Sequence, residues 1–206
     1  LSGREMDIAM YGNPWNVPRG FPGSHSLDLL HQSLDTFLKT GVLSSPIFDK
    51  SLRDGKGDRS GWCELRSKVL ILEGWFVGCV PVSDLFKIDN LEEDKFNLSL
   101  SQSEKDYRTL IQESLLEYSK IWKKFYKTWH LKTSNFDNTI LWKSQQENEM
   151  IKLKGSGLKG NKLSDFIRMI QTSIPQQSLS SINSDTTVEI NQNRRIKKLK
   201  TTKYYF

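Results

Sequence analysis

The residues Val69-Leu70-Ile71-Leu72 are continuously apolar and run straight into Glu73-Gly74-Trp75. A half-buried strand alternates apolar and polar side chains, whereas a strand covered on both faces does not. The run therefore predicts a strand over residues 68–73 in a parallel sheet flanked by helices. Helical periods on both sides agree. Ser26 can cap a helix to about Lys39, with Leu27, Leu30, Leu34 and Phe37 or Leu38 on one stripe and Gly41 as its stop. A long amphipathic helix is expected from about Gln102 to Lys127, its buried stripe marked by Leu110, Ile111, Leu115, Tyr118, Ile121, Trp122 and Phe125. Further helices are expected from Asn135 to about Lys154 and from Leu163 to Ser173.

Between these lie the punctuated stretches. Residues 1–24 carry Asn13-Pro14, Pro18-Arg19-Gly20 and Pro22-Gly23, which argues against a continuous helix. Pro46-Ile47-Phe48 and Trp129 to Lys132 read as short strands, and residues 49–59 as a mobile charged loop. Residues 83–101 read as a polar, acidic connection and 176–185 as a Gln/Ser-rich linker. Val188 to Ile190 and Ile196 to Leu199, around Asn191-Gln192-Asn193, predict a C-terminal hairpin. Strands alternating with helices give an α/β class with a mainly parallel sheet.

Composition excludes several functions. No apolar run approaches the roughly 18 residues of a membrane span. The chain starts at Leu1 without a basic, then apolar, leader. Two cysteines, Cys63 and Cys79, are too few for a disulfide framework or a Cys-based metal site, and His25, His31 and His130 show no zinc spacing. These features predict a cytoplasmic protein with reduced thiols. The net charge is +6, concentrated near the C-terminus at Arg194, Arg195, Lys197, Lys198, Lys200 and Lys203. A basic surface attracts nucleic acid, anionic lipid or phosphorylated small molecules and does not choose among them.

Four stretches carry candidate chemistry. In open α/β sheets ligands bind beyond the carboxyl ends of the strands. Glu73 at such an end can hold Mg²⁺ through water beside nucleotide phosphates, or can simply mark a strand leaving the core. Arg19-Gly20-Phe21-Pro22-Gly23-Ser24-His25 offers a guanidinium for a carboxylate or phosphate and a histidine near a helix start, or a structural turn. The loop from Asp49 to Arg59 interleaves Lys50, Arg53, Lys56 and Arg59 with Asp49, Asp54 and Asp58; it can clamp a phosphate or be a solvated surface. In Trp142-Lys143-Ser144-Gln145-Gln146-Glu147, Lys143 either pairs with Glu147 four residues on or covers a phosphate.

The order of Asn13-Pro14, Arg19-Gly20-x-Pro22-Gly23-Ser24-His25, Phe48-Asp49-Lys50-Ser51 with Lys56-Gly57-Asp58-Arg59, Ile71-Leu72-Glu73-Gly74-Trp75 and Trp142-x-x-Gln145-Gln146-Glu147 resembles the D-glycerate 3-kinases. These are P-loop kinases in the superfamily of phosphoribulokinase, uridine kinase and pantothenate kinase. The resemblance covers about residues 10–200, and Ile190-x-x-Asn193-Arg194 looks like the family's closing hairpin. It implies a three-layer P-loop NTPase-like fold and transfer of phosphate from ATP, with Mg²⁺, to glycerate or a similar hydroxy acid. It implies no nucleic-acid or membrane partner. By position, Glu73, Lys50 and Arg59 match catalytic places, with Glu73 also holding the metal. Arg19, Ser24, His25 and Asp49 match the acceptor pocket, and Lys56 and Lys143 match phosphate-binding places.

Some residues depart from the family pattern. Ser24 stands at a threonine place and keeps the hydroxyl. Ser26 stands at an aspartate place and loses a charge. Lys143 stands at a common arginine place and loses the forked donor set. No G-x-x-x-x-G-K-[ST] occurs in the chain. The resemblance implies that the phosphate loop, a first strand and an acidic pair precede the equivalent of Leu1. On that reading residues 1–175 are the C-terminal portion of a larger kinase domain, and 176–206 are the linker and hairpin of the same domain. The chain alone is then expected to be an inactive fragment. Two other readings remain open at this stage: a related kinase for a nucleoside or pantothenate, and a non-catalytic basic binding module in which Trp122, Phe125, Tyr126 and Trp129 stack on RNA.

Overall fold

A computed structural model describes residues 1–96, 98–133, 135–155 and 157–202. It divides into two compact units, Leu1–Val77 and Gly78–Phe206.

The first unit opens on helix α1 (Gly3–Ala9). The prolines and glycines that argued against a helix all lie after it. Ser2 and Glu5 form a capping box that satisfies the helix start, and Gly3 and Met6 are buried beneath it. Asn13 then knits the following loop: its amide donates to the carbonyls of Met10 (2.7 Å) and Val17 (2.9 Å), and its oxygen accepts from the backbone of Trp15 and Val17. Trp15, Val17 and Phe21 are buried with Met6, Met10, Leu34 and Phe76 as the unit's core. Helix α2 (Leu27–Thr40) follows and ends, as expected, on Gly41 in the left-handed conformation, although the Ser26 side chain at its start makes no capping hydrogen bond.

Strand β1 (Val42–Asp49) and strand β2 (Asp58–Arg66) form an antiparallel hairpin, with a bulge between Ile47 and Phe48. Ser33 of α2 donates to the Ser44 carbonyl at 2.6 Å, tying helix to sheet. The charged loop is thus the turn of this hairpin, at residues 50–57. The expected strand at 68–73 is not formed. The segment joins no ladder, and Val69 and Ile71 are exposed at 71% and 84%. A strand exists through its partner's hydrogen bonds, and no described strand pairs with this one.

The second unit begins with helix α3 (Leu85–Phe96), where sequence patterning suggested a connection. Its acids point to the reason: Asp89 and Glu92 are buried and meet Arg108 of helix α4 (Gln102–Trp122) at 3.2 and 3.1 Å. This helix holds its place through long-range ion pairing rather than through an apolar stripe. α4 buries Ile111, Leu115, Tyr118 and Ile121, whereas Leu110, expected on the stripe, is 53% exposed. Trp122 and Phe125 stack at 5.8 Å, and Tyr126 and Trp129 are exposed.

Strand β3 (Trp129–Thr133), helices α5 (Asp137–Lys154), α6 (Gly160–Thr172) and α7 (Gln176–Ser180), and strands β4 (Thr186–Ile190) and β5 (Ile196–Thr201) complete the unit. The five-residue α7 occupies part of the expected linker. The sheet order is β3-β4-β5; β3 runs parallel to β4 across the helical crossover, and β4–β5 is the expected hairpin. Among the described residues this is the one parallel ladder of three. The class is mixed α/β.

Candidate active site

Three of the four sequence motifs meet within the first unit. The Arg19 guanidinium donates to the carbonyls of Gly55 (2.8 Å) and Lys56 in the hairpin turn, and it lies 5.7 Å from the Phe48 ring centroid. The Trp75 indole N–H donates to the Gly20 carbonyl at 2.7 Å. The Arg19–His25 turn is therefore fastened to the hairpin loop on one side and to the Glu73-Gly74-Trp75 segment on the other.

The turn itself is built around Ser24. This buried hydroxyl donates to the Phe21 carbonyl (2.7 Å), accepts from the Gly20 backbone (3.1 Å) and lies 3.4 Å from His25 Nδ1. Gly20 and Gly23 hold φ of 115° and 98°, which a side chain would strain. The His25 imidazole packs 5.8 Å from the Phe76 ring. Loss of water on that inner side pushes its pKa down to about 4. Its outer side stays exposed, and water there moderates the shift; either way the ring is neutral at pH 7.

In the loop, the Asp49 carboxylate accepts from the Ser51 backbone (2.8 Å) and hydroxyl (2.6 Å). Lys50 and Lys56 are exposed. Arg53 and Asp54 hold left-handed φ of 57° and 55°. Two carboxylates of α1 face this loop: Arg53 pairs with Asp7, Lys56 reaches Asp7 at 4.0 Å, and Arg59 meets Glu5 at 3.3 Å. The backbone N–H groups of Arg59 and Gly3 hold the Asp58 carboxyl below its usual range. Sequence patterning missed Glu5 and Asp7, although the capping box Ser2-x-x-Glu5 before Met6 was there to be read.

Glu73 is exposed and lies outside any strand rather than at a strand end. No group of three or more potential ligands gathers around a metal among the described residues. One exposed carboxylate still suits a largely hydrated Mg²⁺, which needs one or two carboxylates plus substrate phosphates. Lys143 lies in the second unit. It pairs with the buried Glu147 at 2.5 Å and covers the Phe166 ring at 4.6 Å, and Glu147 also accepts from the Leu158 backbone at 2.7 Å. Beside it, Trp142 donates to the Gln192 carbonyl at 2.8 Å, with the Arg194 guanidinium 5.7 Å from its ring. No helix among the described residues is long and apolar enough to cross a membrane.

The mixed α/β fold thus presents an arginine-bridged turn and a cationic hairpin loop. No protein-family model matches the chain. It is 28% identical over 207 residues to the probable ATP-dependent kinase TDA10 of Saccharomyces cerevisiae, covering 89% of this chain and 66% of that protein. It is 25% identical over 163 residues to the uncharacterized kinase mug58 of Schizosaccharomyces pombe, covering 75% and 57%. Among solved structures, a D-glycerate 3-kinase from Cryptococcus neoformans var. grubii superposes with a TM-score of 0.79 at 22% identity, covering 98% of this chain and 76% of that one. The YGR205w protein superposes with a TM-score of 0.69 at 26% identity, covering 98% and 74%. The chain has the fold of a D-glycerate 3-kinase and is similar in sequence to a probable ATP-dependent kinase and an uncharacterized kinase, spanning 66% and 57% of their lengths.

Proposed function

We propose that this chain is part of an ATP-dependent kinase that phosphorylates glycerate or a closely related hydroxy acid. The observation that supports it most is the bridge from Arg19 to the Gly55 and Lys56 carbonyls. That bridge ties the turn bearing a hydroxyl (Ser24) and a neutral imidazole (His25) to the loop bearing Asp49, Lys50, Lys56 and Arg59, residue types suited to an anionic, hydroxylated acceptor. In the transfer, the acceptor oxygen loses its proton and bonds to the γ-phosphorus as the bond to the bridging oxygen breaks and ADP leaves.

Such transfers depend on positioning and on charge stabilisation more than on covalent help from the protein. Lys50, Lys56 and Arg59 would balance negative charge on the moving phosphoryl group. Arg19, Ser24, His25 and Asp49 would orient the acceptor. Glu73 would hold Mg²⁺ through water, and the metal would neutralise phosphate charge. Lys143 contributes to phosphate binding only if it exchanges Glu147 for the ligand. On this reading residues 1–175 belong to the C-terminal portion of a larger kinase domain, and 176–206 are the linker and hairpin of the same domain.

The test is an ADP-release assay on the complete gene product with a panel of glycerate, other hydroxy acids, nucleosides and pantothenate. Turnover with glycerate above the other acceptors is expected. Turnover with a nucleoside or pantothenate alone would transfer the reading to another acceptor class, and no acceptor-dependent ADP release at all would overturn it.

A further inference from the structure

The hairpin loop and α1 confront each other with opposite charges that do not fully satisfy one another. Arg53 pairs with Asp7 through Nη2, yet its Nη1 is buried without a hydrogen-bond partner. Arg59 meets Glu5 through Nη2, yet its Nε is buried and unpartnered in the same way. A buried donor without an acceptor costs about 1–3 kcal/mol, and more when charged. Two such donors, on arginines that face the Asp58 carboxylate as well as α1, are therefore a loss the fold accepts in this state.

The backbone is committed to the arrangement. Arg53 and Asp54 sit in left-handed conformations that non-glycine residues adopt at a cost, a form of strain that clusters at ligand clamps. Gly3 of α1 lies so close that a Cβ there would fall 2.2 Å from Arg53 Nη1. Glu5 and Asp7 differ in how firmly they are held. Glu5 also closes the capping box by accepting from the Ser2 backbone at 2.5 Å. Asp7 has no part in that box, and roughly half of its side chain is exposed.

We infer that Arg53 and Arg59 form an oxyanion-binding site whose place is held by the Asp7 carboxylate, which a ligand's phosphate or carboxylate group displaces. An incoming group with three oxygens offers acceptors to both Nη2 and Nη1 of Arg53 and to Nε of Arg59, whereas Asp7 serves only one. Forked guanidinium donors suit such a group better than lysine would. The inference rests on the kinase reading for the identity of the ligand, not for the existence of the site. It adds Arg53 and Asp7 to the residues that decide which anion is taken.

The experiment is an NMR titration of the full chain that follows the arginine Nε–Hε signals. Inorganic phosphate, glycerate and uncharged glycerol are added in separate arms. Saturable shifts of Arg53 and Arg59 with phosphate or glycerate, and none with glycerol, are expected; whichever anion saturates first names the source. Asp7→Asn removes the competing charge and should tighten binding several-fold, while Arg53→Lys, which keeps charge but not the fork, should weaken it about tenfold. Each variant's thermal melt confirms that it folds. Absence of saturation in both anion arms, weaker binding in Asp7→Asn, or unchanged binding in Arg53→Lys would each overturn the site. None of these readouts needs ATP, so a failed kinase assay and a failed anion site are told apart.

Discussion

The indole N–H of Trp75 donates to the Gly20 carbonyl at 2.7 Å, joining two stretches that belong to no helix or strand. Both carry candidate site residues, Glu73 and Arg19–His25, so this bond sets their separation. Trp75→Phe keeps an aromatic ring against Phe76, whose centroid lies 5.2 Å away, but removes the donor. A stability loss of about 1 kcal/mol is expected, read as a lower urea midpoint with unchanged slope. An unaltered midpoint would mean that the bond does not fasten the turn.

Gly57 allows the hairpin turn to close. It holds φ of 86°, and a Cβ there would lie 2.5 Å from the Phe48 ring and 3.3 Å from the Asp49 carbonyl. Gly57→Ala must therefore displace the Phe48 ring, which lies 5.7 Å from the Arg19 guanidinium. The expected cost is at least about 1 kcal/mol of stability, with a larger effect on acceptor KM than on kcat because the loop, not the transfer itself, is disturbed. A wild-type melt and KM would contradict this account of the turn.

The places where sequence and structure part company share a cause. Helix α2, most of α4, β3, α5, α6 and the β4–β5 hairpin were legible because local period and turn residues decide them. The run Val69–Leu72 was read as a buried strand because its side chains are apolar; strand formation also needs a paired neighbour, and side-chain pattern carries no record of one. Helix α3 was missed for the converse reason. Its acids looked like solvated connection, and their partner Arg108 lies sixteen residues beyond Glu92. Within the candidate site, the turn and the loop were legible as motifs. Arg19's bridge to Gly55 and Lys56 spans 36 and 37 residues and was not.

Arg108 is fully buried between Asp89 and Glu92, and Glu92 also accepts from the Gln177 backbone at 2.8 Å. Burial pushes the Asp89 carboxyl up, partly offset by the guanidinium. Arg108→Met removes the guanidinium that bridges both acids, leaving two buried carboxylates without their ion-pair partner. Such a change costs about 3–5 kcal/mol, so a large fall in melting temperature is expected. A melt within a degree or two of wild type would show that water reaches the acids.

Glu104 illustrates a carboxylate held in the charged form. Burial alone would raise its pKa, but the Arg168 guanidinium at 2.7 and 2.8 Å, the Ser101 backbone at 2.9 Å and the Thr172 hydroxyl at 3.1 Å outweigh burial and bring it down to about 2. A carboxyl with a depressed folded-state pKa stabilises above its unfolded value, near 4.5, and loses that contribution as pH falls toward 2. Up to about 3 kcal/mol is expected to disappear across that window. Glu104→Gln should lower stability at pH 7 and flatten the acid limb of the stability–pH curve below 4.5. An acid limb as steep as wild type would assign the effect to other groups.

Glu73 carries the most exposed part of the proposal. It lies two residues before Trp75, on backbone that no ladder holds, so its position depends on the bond to Gly20 and on whatever the apolar residues before it pack against. In the complete gene product, Glu73→Gln keeps size and hydrogen-bonding capacity but removes the charge that would hold hydrated Mg²⁺. Turnover should fall by about 10² or more, with a raised Mg²⁺ requirement, because charge stabilisation is the main protein contribution to phosphoryl transfer. Titrating Mg²⁺ separates the outcomes. Partial recovery at high metal concentration supports a metal role, loss that no metal restores assigns Glu73 to positioning, and wild-type turnover at every Mg²⁺ concentration removes it from the site.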